Sequence, residues 1–267
     1  MNLRTKFLGA VALATLALAV IAVPMHADTL AASWYSMTTN DPDVGVGEGN
    51  GGTSFVTTVG GGLGADGLPI LNATGKSILH DYNAAGELLW WNTADPHVSV
   101  LSNPVYPSTI TLPFIDNNMY TNTTVLGANG NDSNAFLTAE FVGDFNLSAP
   151  GSVSFNVCSD DDEFVYLSGG AFGNGTMVVD NGGIHGTSCT AGNVNTGMLS
   201  SVAAGDYTIS IFYADRQHTG AVFQLTANLN LTPPPPSVPE PASVTLFISG
   251  LAGIGGRFLR RGKTARH

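Results

Sequence analysis

Positive charge is almost missing from the body of this 267-residue chain. Seven of its nine lysines and arginines lie at the two ends (Arg4, Lys6, Arg257, Arg260, Arg261, Lys263 and Arg266). Between Asp28 and Ser237 only Lys76 and Arg216 remain, against nineteen of the twenty acids, which leaves a formal charge near −17. Such a surface repels phosphate backbones and anionic lipid, so nucleic acid is excluded as a partner. It attracts cations, calcium above all, through oxygen ligands. Catalytic signatures are missing too. The chain has no Gly-x-Ser-x-Gly elbow, no His-Glu-x-x-His pair, no phosphate-binding glycine loop and no catalytic cysteine context, so it does not read as an enzyme. Any two of twenty acids could satisfy the carboxylate spacing of a glycosidase, which leaves that possibility uninformative.

Long hydrophobic runs occur only at the termini. Residues 1–27, MNLRTKFLGAVALATLALAVIAVPMHA, combine a charged start, an apolar run from Phe7 to Val23 and a small residue at Ala27. This is the pattern of a secretory signal peptide cleaved after Ala27. The run is short and Pro24 follows it, which argues against an uncleaved anchor. At the other end, Ala242 to Gly256 is apolar or small throughout. As a helix these fifteen residues would cover about 22 Å, short of a hydrocarbon core of about 30 Å. The basic cluster behind them would be held on the cytoplasmic side. The segment can pause in a membrane but makes a marginal permanent span.

Val238, Pro239, Glu240 and Pro241 begin VPEPAS, followed by that glycine-rich apolar stretch and by RFLRR with Arg257, Arg260 and Arg261. This tail, residues 238–263, resembles the PEP-CTERM sorting signal of Gram-negative bacteria. The resemblance implies export through the inner membrane, transient anchoring there by the C-terminus, and processing by an exosortase-type enzyme. It also implies delivery to the cell surface or an exopolysaccharide or biofilm matrix. The run of prolines in 233–237 reads as a stiff spacer ahead of it.

Cysteine is limited to Cys158 and Cys189, neither in a metal-ligand pattern. In an exported chain an even pair reads as a disulfide, here closing a loop of about thirty residues and contributing roughly 3–4 kcal/mol in the chain-entropy model. Two free thiols are the alternative. Periodic runs of helix formers are scarce, and Gly, Asn, Thr and Ser are abundant. From Asp28 to Gly67 the glycine clusters VGVGEGNGG and VGGGLGADG point to loops with one short strand around Ser54 to Val59. Ile78 to Trp91 reads as a hairpin about the turn Asn83-Ala84-Ala85-Gly86. Trp90 and Trp91 within it are either core residues or an exposed sugar platform.

The second half alternates cleanly: Val153, Phe155, Val157; Tyr207, Ile209, Ile211, Tyr213; and Phe223, Leu225, Ala227, Leu229, Leu231. A period of two marks half-buried strands. Turn signals at Gly169-Gly170, Asn181-Gly182-Gly183 and Gly205-Asp206 separate them. The fold expected is an all-β antiparallel sandwich. A loop-rich β part over 28–109 would precede the sandwich proper at 110–232, flanked by the signal peptide and a short C-terminal hydrophobic helix.

One stretch concentrates chemistry. Cys158 to Glu163, CSDDDE, places four adjacent carboxylates between two strand patterns. They repel one another unless solvent or a cation neutralises them. Hard cations take several oxygens at about 2.3–2.6 Å, so this cluster either suits calcium or is a solvated acidic turn. SDDDEFVYLSGG, MVVDNGGIHG and AAGDYTISIFYADRQHTGAVFQL together resemble the fibro-slime variant of the protective-antigen-type β-sandwich over about Ile110 to Leu231. That module occurs in bacterial toxins, glycosidases and yeast flocculins. In its sugar-binding members paired aspartates, often joined by a cis peptide, bind calcium that in turn holds sugar hydroxyls. The resemblance carries this role to Asp160 and Asp161. Asp162, Asp180, Asn181 and Asp215 are weaker calcium candidates, and His218 is a weak ligand-binding candidate or a structural histidine. His185 and His218 lack a third ligand at zinc spacing. The function expected is a calcium-dependent carbohydrate-binding or adhesive module, with a glycan as partner. The alternatives are a structural matrix protein and a glycan-active hydrolase.

Overall fold

The computed structural model describes residues 28–45, 58–102, 105–121, 128, 130–132, 134–189 and 199–229. The signal peptide, the proline spacer and the sorting tail lie outside the described residues. Among those described, no helix is long and apolar enough to cross a membrane.

The first half contributes β1 (Thr29–Thr38), β2 (Val59–Leu63), β3 (Pro69–Leu71), helix α1 (Ala73–Ile78), β4 (Val98–Val100), β5 (Thr109–Thr111) and β6 (Phe114–Asp116). The second half contributes β7 (Ala135–Leu147), β8 (Gly151–Val153), β9 (Phe155–Asp160), β10 (Asp162–Ser168), β11 (Thr176–Asn181), β12 (Ser188–Cys189), β13 (Leu199–Val202), β14 (Gly205–Ala214) and β15 (Val222–Ala227). A seven-stranded sheet runs in the order β11-β10-β14-β7-β1-β4, with β5 also paired to β1. A four-stranded sheet runs β12-β9-β15-β6, and every pairing in both sheets is antiparallel.

The alternation read from the sequence sorts side chains onto the two faces of the large sheet. Tyr207, Ile209, Ile211 and Tyr213 of β14 join Leu137, Phe141 and Phe145 of β7 on one face, where they meet Phe155, Val157, Phe223 and Leu225 of the small sheet. Phe141 centres this core. Its ring lies 4.8 Å from Phe223, stacked, and 5.3 Å from Trp34, edge-on. The opposite face carries Phe136, Phe164, Tyr166, Phe212 and Met37, covered by Leu71, Leu79, Leu88, Trp90 and Trp91. The large sheet is therefore buried on both sides. This is why β10 and β14 are apolar or small at nearly every position and still fit a sheet of antiparallel strands.

Three sequence expectations change. The irregular reading of Asp28 to Gly67 missed β1, a ten-residue strand in the large sheet; its Ala and Ser positions leave an alternation of Leu30, Trp34 and Ser36 against Tyr35 and Met37 too faint to see. The short strand begins at Val59 rather than ending there, and it runs through Gly60, Gly61 and Gly62; Ser54 to Thr57 lie outside the described residues. Pairing with Leu71 and Pro69 across an irregular register holds it. The segment Ile78 to Trp91 turns at Asn83–Gly86 as expected, with the Gly86 N–H donating to Asn83 O at 2.8 Å, but its arms make isolated bridges (Tyr82 with Leu88, Ile70 with Glu87) rather than a hairpin ladder. Trp90 and Trp91 are core residues, 0% and 2% exposed, and offer no sugar platform. Cys158 and Cys189 form a disulfide that joins β12 to β9, which settles the choice against free thiols.

Phe141→Ala removes the ring shared by Trp34, Phe114 and Phe223. A substitution of this type costs about 3–5 kcal/mol. Urea unfolding followed by circular dichroism should show the midpoint falling accordingly with the slope unchanged.

Candidate functional site

The acidic stretch is the corner where the chain leaves one sheet for the other. Asp160 ends β9 in the small sheet, Asp162 begins β10 in the large sheet, and Asp161 joins them through a cis Asp160–Asp161 peptide bond. Asp160, Asp161, Asp162 and Glu163 are all buried, at 4% exposure or less. The solvated-turn reading is thereby overturned.

Burying carboxylates requires donors, and two loops bring them. Asp161 Oδ1 accepts the His185 N–H at 2.9 Å and Oδ2 accepts the Arg216 N–H at 2.8 Å. Asp162 Oδ1 accepts the Gly183 N–H at 2.6 Å, and Oδ2 accepts Arg216 Nε at 2.7 Å. These two acids tie the loops after β11 and β14 to the corner. Arg216 is fully buried, lies 4.8 Å from the Trp90 ring centroid, and donates from Nη1 to Asp43 O at 3.3 Å. Asp160 is held differently. Its Oδ2 accepts Thr187 Oγ1 at 3.2 Å, and its carbonyl accepts Tyr213 Oη at 2.9 Å. Gly220, at φ 88°, passes so close that a β-carbon there would collide with the Asp160 carboxylate, so glycine is required.

Asp215 and Asp132 complete the cluster without donors of that kind. Asp215 is 0% exposed; its Oδ1 accepts the Gln217 N–H at 3.3 Å, while Oδ2 has no hydrogen-bond partner. Asp132 is 1% exposed and lies in hydrogen-bond range of the Asp215 carboxyl, and apart from that carboxyl neither of its oxygens meets a hydrogen-bond partner. His218 Nδ1 lies 3.1 Å from Asp132 O, and its ring packs on Phe136 at 5.0 Å, so this histidine fastens the two loops together.

Electrostatics follow from this crowding. Burial pushes the Asp132 carboxyl up to about 7, with the Asp160 charge adding to it. Burial likewise pushes Asp161 up to about 7; Asp162 adds to it, and Arg216 and the two amide donors oppose it. Asp215 is held well above the carboxylate range by burial and then by the charges of Asp132 and Asp161. Asp160 is raised by burial. Glu163 stands apart. Burial pushes it well above its ordinary range, no charged group contributes, and neither of its oxygens has a hydrogen-bond partner.

The other sequence candidates separate by position. Asn181 donates Nδ2 to Ser159 Oγ at 2.6 Å and to Ser188 O at 3.4 Å, which leaves its buried Oδ1 without a hydrogen-bond partner beside the corner. Asp180 accepts the Gly182 N–H at 3.1 Å and raises the Tyr166 hydroxyl by its charge, on the opposite face of the sheet. It does not belong to the cluster. Asp132, outside the sequence candidates, does belong; the oxygen-rich run Asn129-Gly130-Asn131-Asp132 was its signal. Asp132, Asp215 and Asp160 offer hard oxygens of the kind a cation takes. Among the described residues, however, three such ligand atoms come within 4.8 Å of one another only at Asp41, Asp43 and Asp81 and at Asp41, Asp95 and His97, and not at this corner. Asp161 oxygens retain lone pairs beyond their single amide bonds.

No protein-family model matches the chain. No curated protein matches it either. Among solved structures it is similar to a PA14 sugar-binding domain from an RTX adhesin, at 16% identity and a TM-score of 0.27, covering 41% of this chain and 55% of that one. It is similar to the A domain of Epithelial Adhesin 6 from Candida glabrata in complex with Galb1-3GlcNAc, at 14% identity and TM-score 0.33, covering 82% and 84%. It is also similar to the GH31 alpha-xylosidase of Xanthomonas citri, at 15% identity and TM-score 0.30, covering 51% of this chain and 13% of the enzyme.

Asp132 and Asp161, at about 7 when folded, compare with about 3.9 for an unfolded aspartate. The folded chain therefore binds the extra protons, and their stabilising contribution is complete below about pH 4 and lost as pH rises through about 7. In chelator, the melting midpoint should fall between about pH 5 and about pH 8, and Asp132→Asn should flatten that dependence.

Proposed function

We propose that this sandwich is an exported, calcium-dependent carbohydrate-binding module that serves adhesion at a cell surface or within an extracellular matrix. The observation that carries the proposal is the facing pair Asp132 and Asp215, buried beside Asp160 with three carboxylate oxygens that meet no donor outside the pair itself. Two adjacent buried carboxylates cannot both be ionised without a counter-charge, and no basic side chain is supplied to them. Asp160, Asp132 and Asp215 would supply oxygens to the ion, with the remaining lone pairs of Asp161 nearby. Bound calcium, with six to eight oxygen ligands, supplies coordination positions that vicinal sugar hydroxyls can fill. Asp161 and Asp162 contribute by fixing the loops 182–187 and 215–220 around the corner, and Arg216 keeps the second loop in register through its bonds to both. The sugar half of the reading rests on the resemblance of Ser159-Asp160-Asp161 and the later motifs to the protective-antigen-type module.

The ends give the module its destination. The signal peptide directs it out of the cytoplasm. The PEP-CTERM-like tail directs it to an exosortase, with a transient stay in the inner membrane before release to an exopolysaccharide or cell-surface glycan.

A second reading has one observation in its favour. Asp160, Asp161 and Asp215 are 4%, 0% and 0% exposed, which leaves little of the corner open to a glycan. In that reading the ion is a staple in a structural matrix protein.

Melting the purified chain in chelator and in millimolar calcium tests the metal. Calcium at about 100 times its Kd adds roughly 2.7 kcal/mol and raises the midpoint. The Asp160→Asn, Asp161→Asn double variant should lose the part of this shift that belongs to the corner. A glycan array probed in calcium and in chelator then separates the readings: calcium-dependent retention supports the binding module, and a calcium shift without any retained glycan supports the staple. No shift in the wild-type chain removes the chemistry from both.

A further inference from the structure

A second concentration of buried acid lies on the other face of the large sheet, among the residues that cover Phe164 and Phe212. Three segments meet there: the turn after β1 with Asp41 and Asp43, the stretch after α1 with His80 and Asp81, and the turn before β4 with Asp95 and His97. Asp43 is 0% exposed and its carboxylate is saturated. Oδ1 accepts the His80 N–H at 2.9 Å and lies 3.0 Å from His80 Nδ1, while Oδ2 accepts the Asp81 N–H and Trp90 Nε1, each at 3.1 Å. Asp43 thereby pins the stretch after α1, and Trp90 beyond it, to the turn after β1.

Asp41 is different. It is 3% exposed; one of its oxygens accepts the Asp43 N–H at 2.8 Å, and Oδ2 has no hydrogen-bond partner. Asp81, 9% exposed, likewise has an Oδ2 without a partner. Asp95, 4% exposed, accepts the His97 N–H at 2.7 Å. One ligand atom of Asp41 lies within 4.8 Å of those of Asp43 and Asp81, and one within 4.8 Å of those of Asp95 and His97. Oxygens on opposite sides of a calcium ion are about 4.6–5.2 Å apart, twice the usual bond length, so each of the two groups has the spacing a single ion spans, and Asp41 is common to both. Arg216, the nearby base, already gives Nε to Asp162 and Nη1 to the Asp43 carbonyl.

We propose that Asp41, Asp81 and Asp95, arranged around the Asp43 anchor, hold a second hard divalent cation, calcium, that fastens the layer formed by residues 41–98 onto the large sheet. The oxygen-dominated donor set selects calcium over softer ions. The site is distinct from the corner at Asp160 and stands whether or not that corner binds a sugar. It also bears on that corner, because Arg216 links the two through Asp43 and Asp162. The same oxygens could be satisfied instead by a proton shared between Asp41 and Asp81, and burial does push Asp81 up to about 9.

Terbium, a hard ion that takes oxygen ligands and luminesces when excited through a nearby indole, distinguishes these outcomes. Trp90, bonded to Asp43, is the antenna. The purified chain should give tryptophan-sensitised terbium emission that excess calcium removes. Asp160→Asn should retain it, Asp41→Asn should lower it at least tenfold, and the calcium content should fall by one ion per chain in Asp41→Asn. Absence of sensitised emission from the wild-type chain overturns the proposal in favour of the shared proton. Emission unchanged in a folded Asp41→Asn chain also overturns it, and emission lost in Asp160→Asn alone assigns the ion to the corner. Should Asp41→Asn fail to fold by far-ultraviolet circular dichroism, Asp95→Asn is read in the same way.

Discussion

Buried negative charge is the constraint around which this molecule is arranged. Thirteen acidic side chains are buried among the described residues, and Arg216 and His185 are the basic side chains buried with them. Each of those carboxyls must be hydrogen-bonded, protonated or bound to a cation, because an isolated ionised carboxylate in a protein interior is prohibitively unfavourable. The fold uses all the first two routes visibly. Asp43, Asp161 and Asp162 are ionisable groups wrapped in backbone and side-chain donors. Burial raises Glu163 well above its ordinary range, toward the protonated form. Asp41, Asp81, Asp132 and Asp215 have at least one oxygen outside either arrangement, and they are where the third route is argued.

Arg216 connects the two acidic centres. Its backbone N–H and its Nε hold Asp161 and Asp162 at the sheet-to-sheet corner, its Nη1 reaches Asp43 O, and its guanidinium lies over Trp90. Its carbonyl accepts the Gly45 N–H at 2.9 Å. Breaking such a buried pair from one side leaves an uncompensated charge, which gives this residue more influence on both ends of the structure than any surface ion pair has.

Much of this was legible in the chain, and the pattern of what was not is physical. The strands β9, β14 and β15 show period-two alternation because side chains of opposite character point to opposite faces. The disulfide was read from an even pair of cysteines in a chain expected to be exported. Motif resemblance singled out Asp160 and Asp161, which the structure places at the corner between the two sheets. By contrast β1 is built of Ala, Ser and scattered large residues buried on both faces, so no alternation marks it. β2 runs through three glycines and is held by pairing that local preference does not foretell. Asp132 sits some thirty residues before the acidic stretch, and Asp41, Asp81 and Asp95 come from three separate segments. Their convergence is a product of tertiary packing, and no spacing in the sequence records it.

The central claim is that cations neutralise the buried carboxylates that no donor reaches. Its most direct test is the metal content of the purified chain, equilibrated with calcium near neutral pH, freed of unbound ion and measured by atomic emission. The account predicts at least one calcium per chain, removed by chelator. A chain that carries none, with its fold intact, would contradict it.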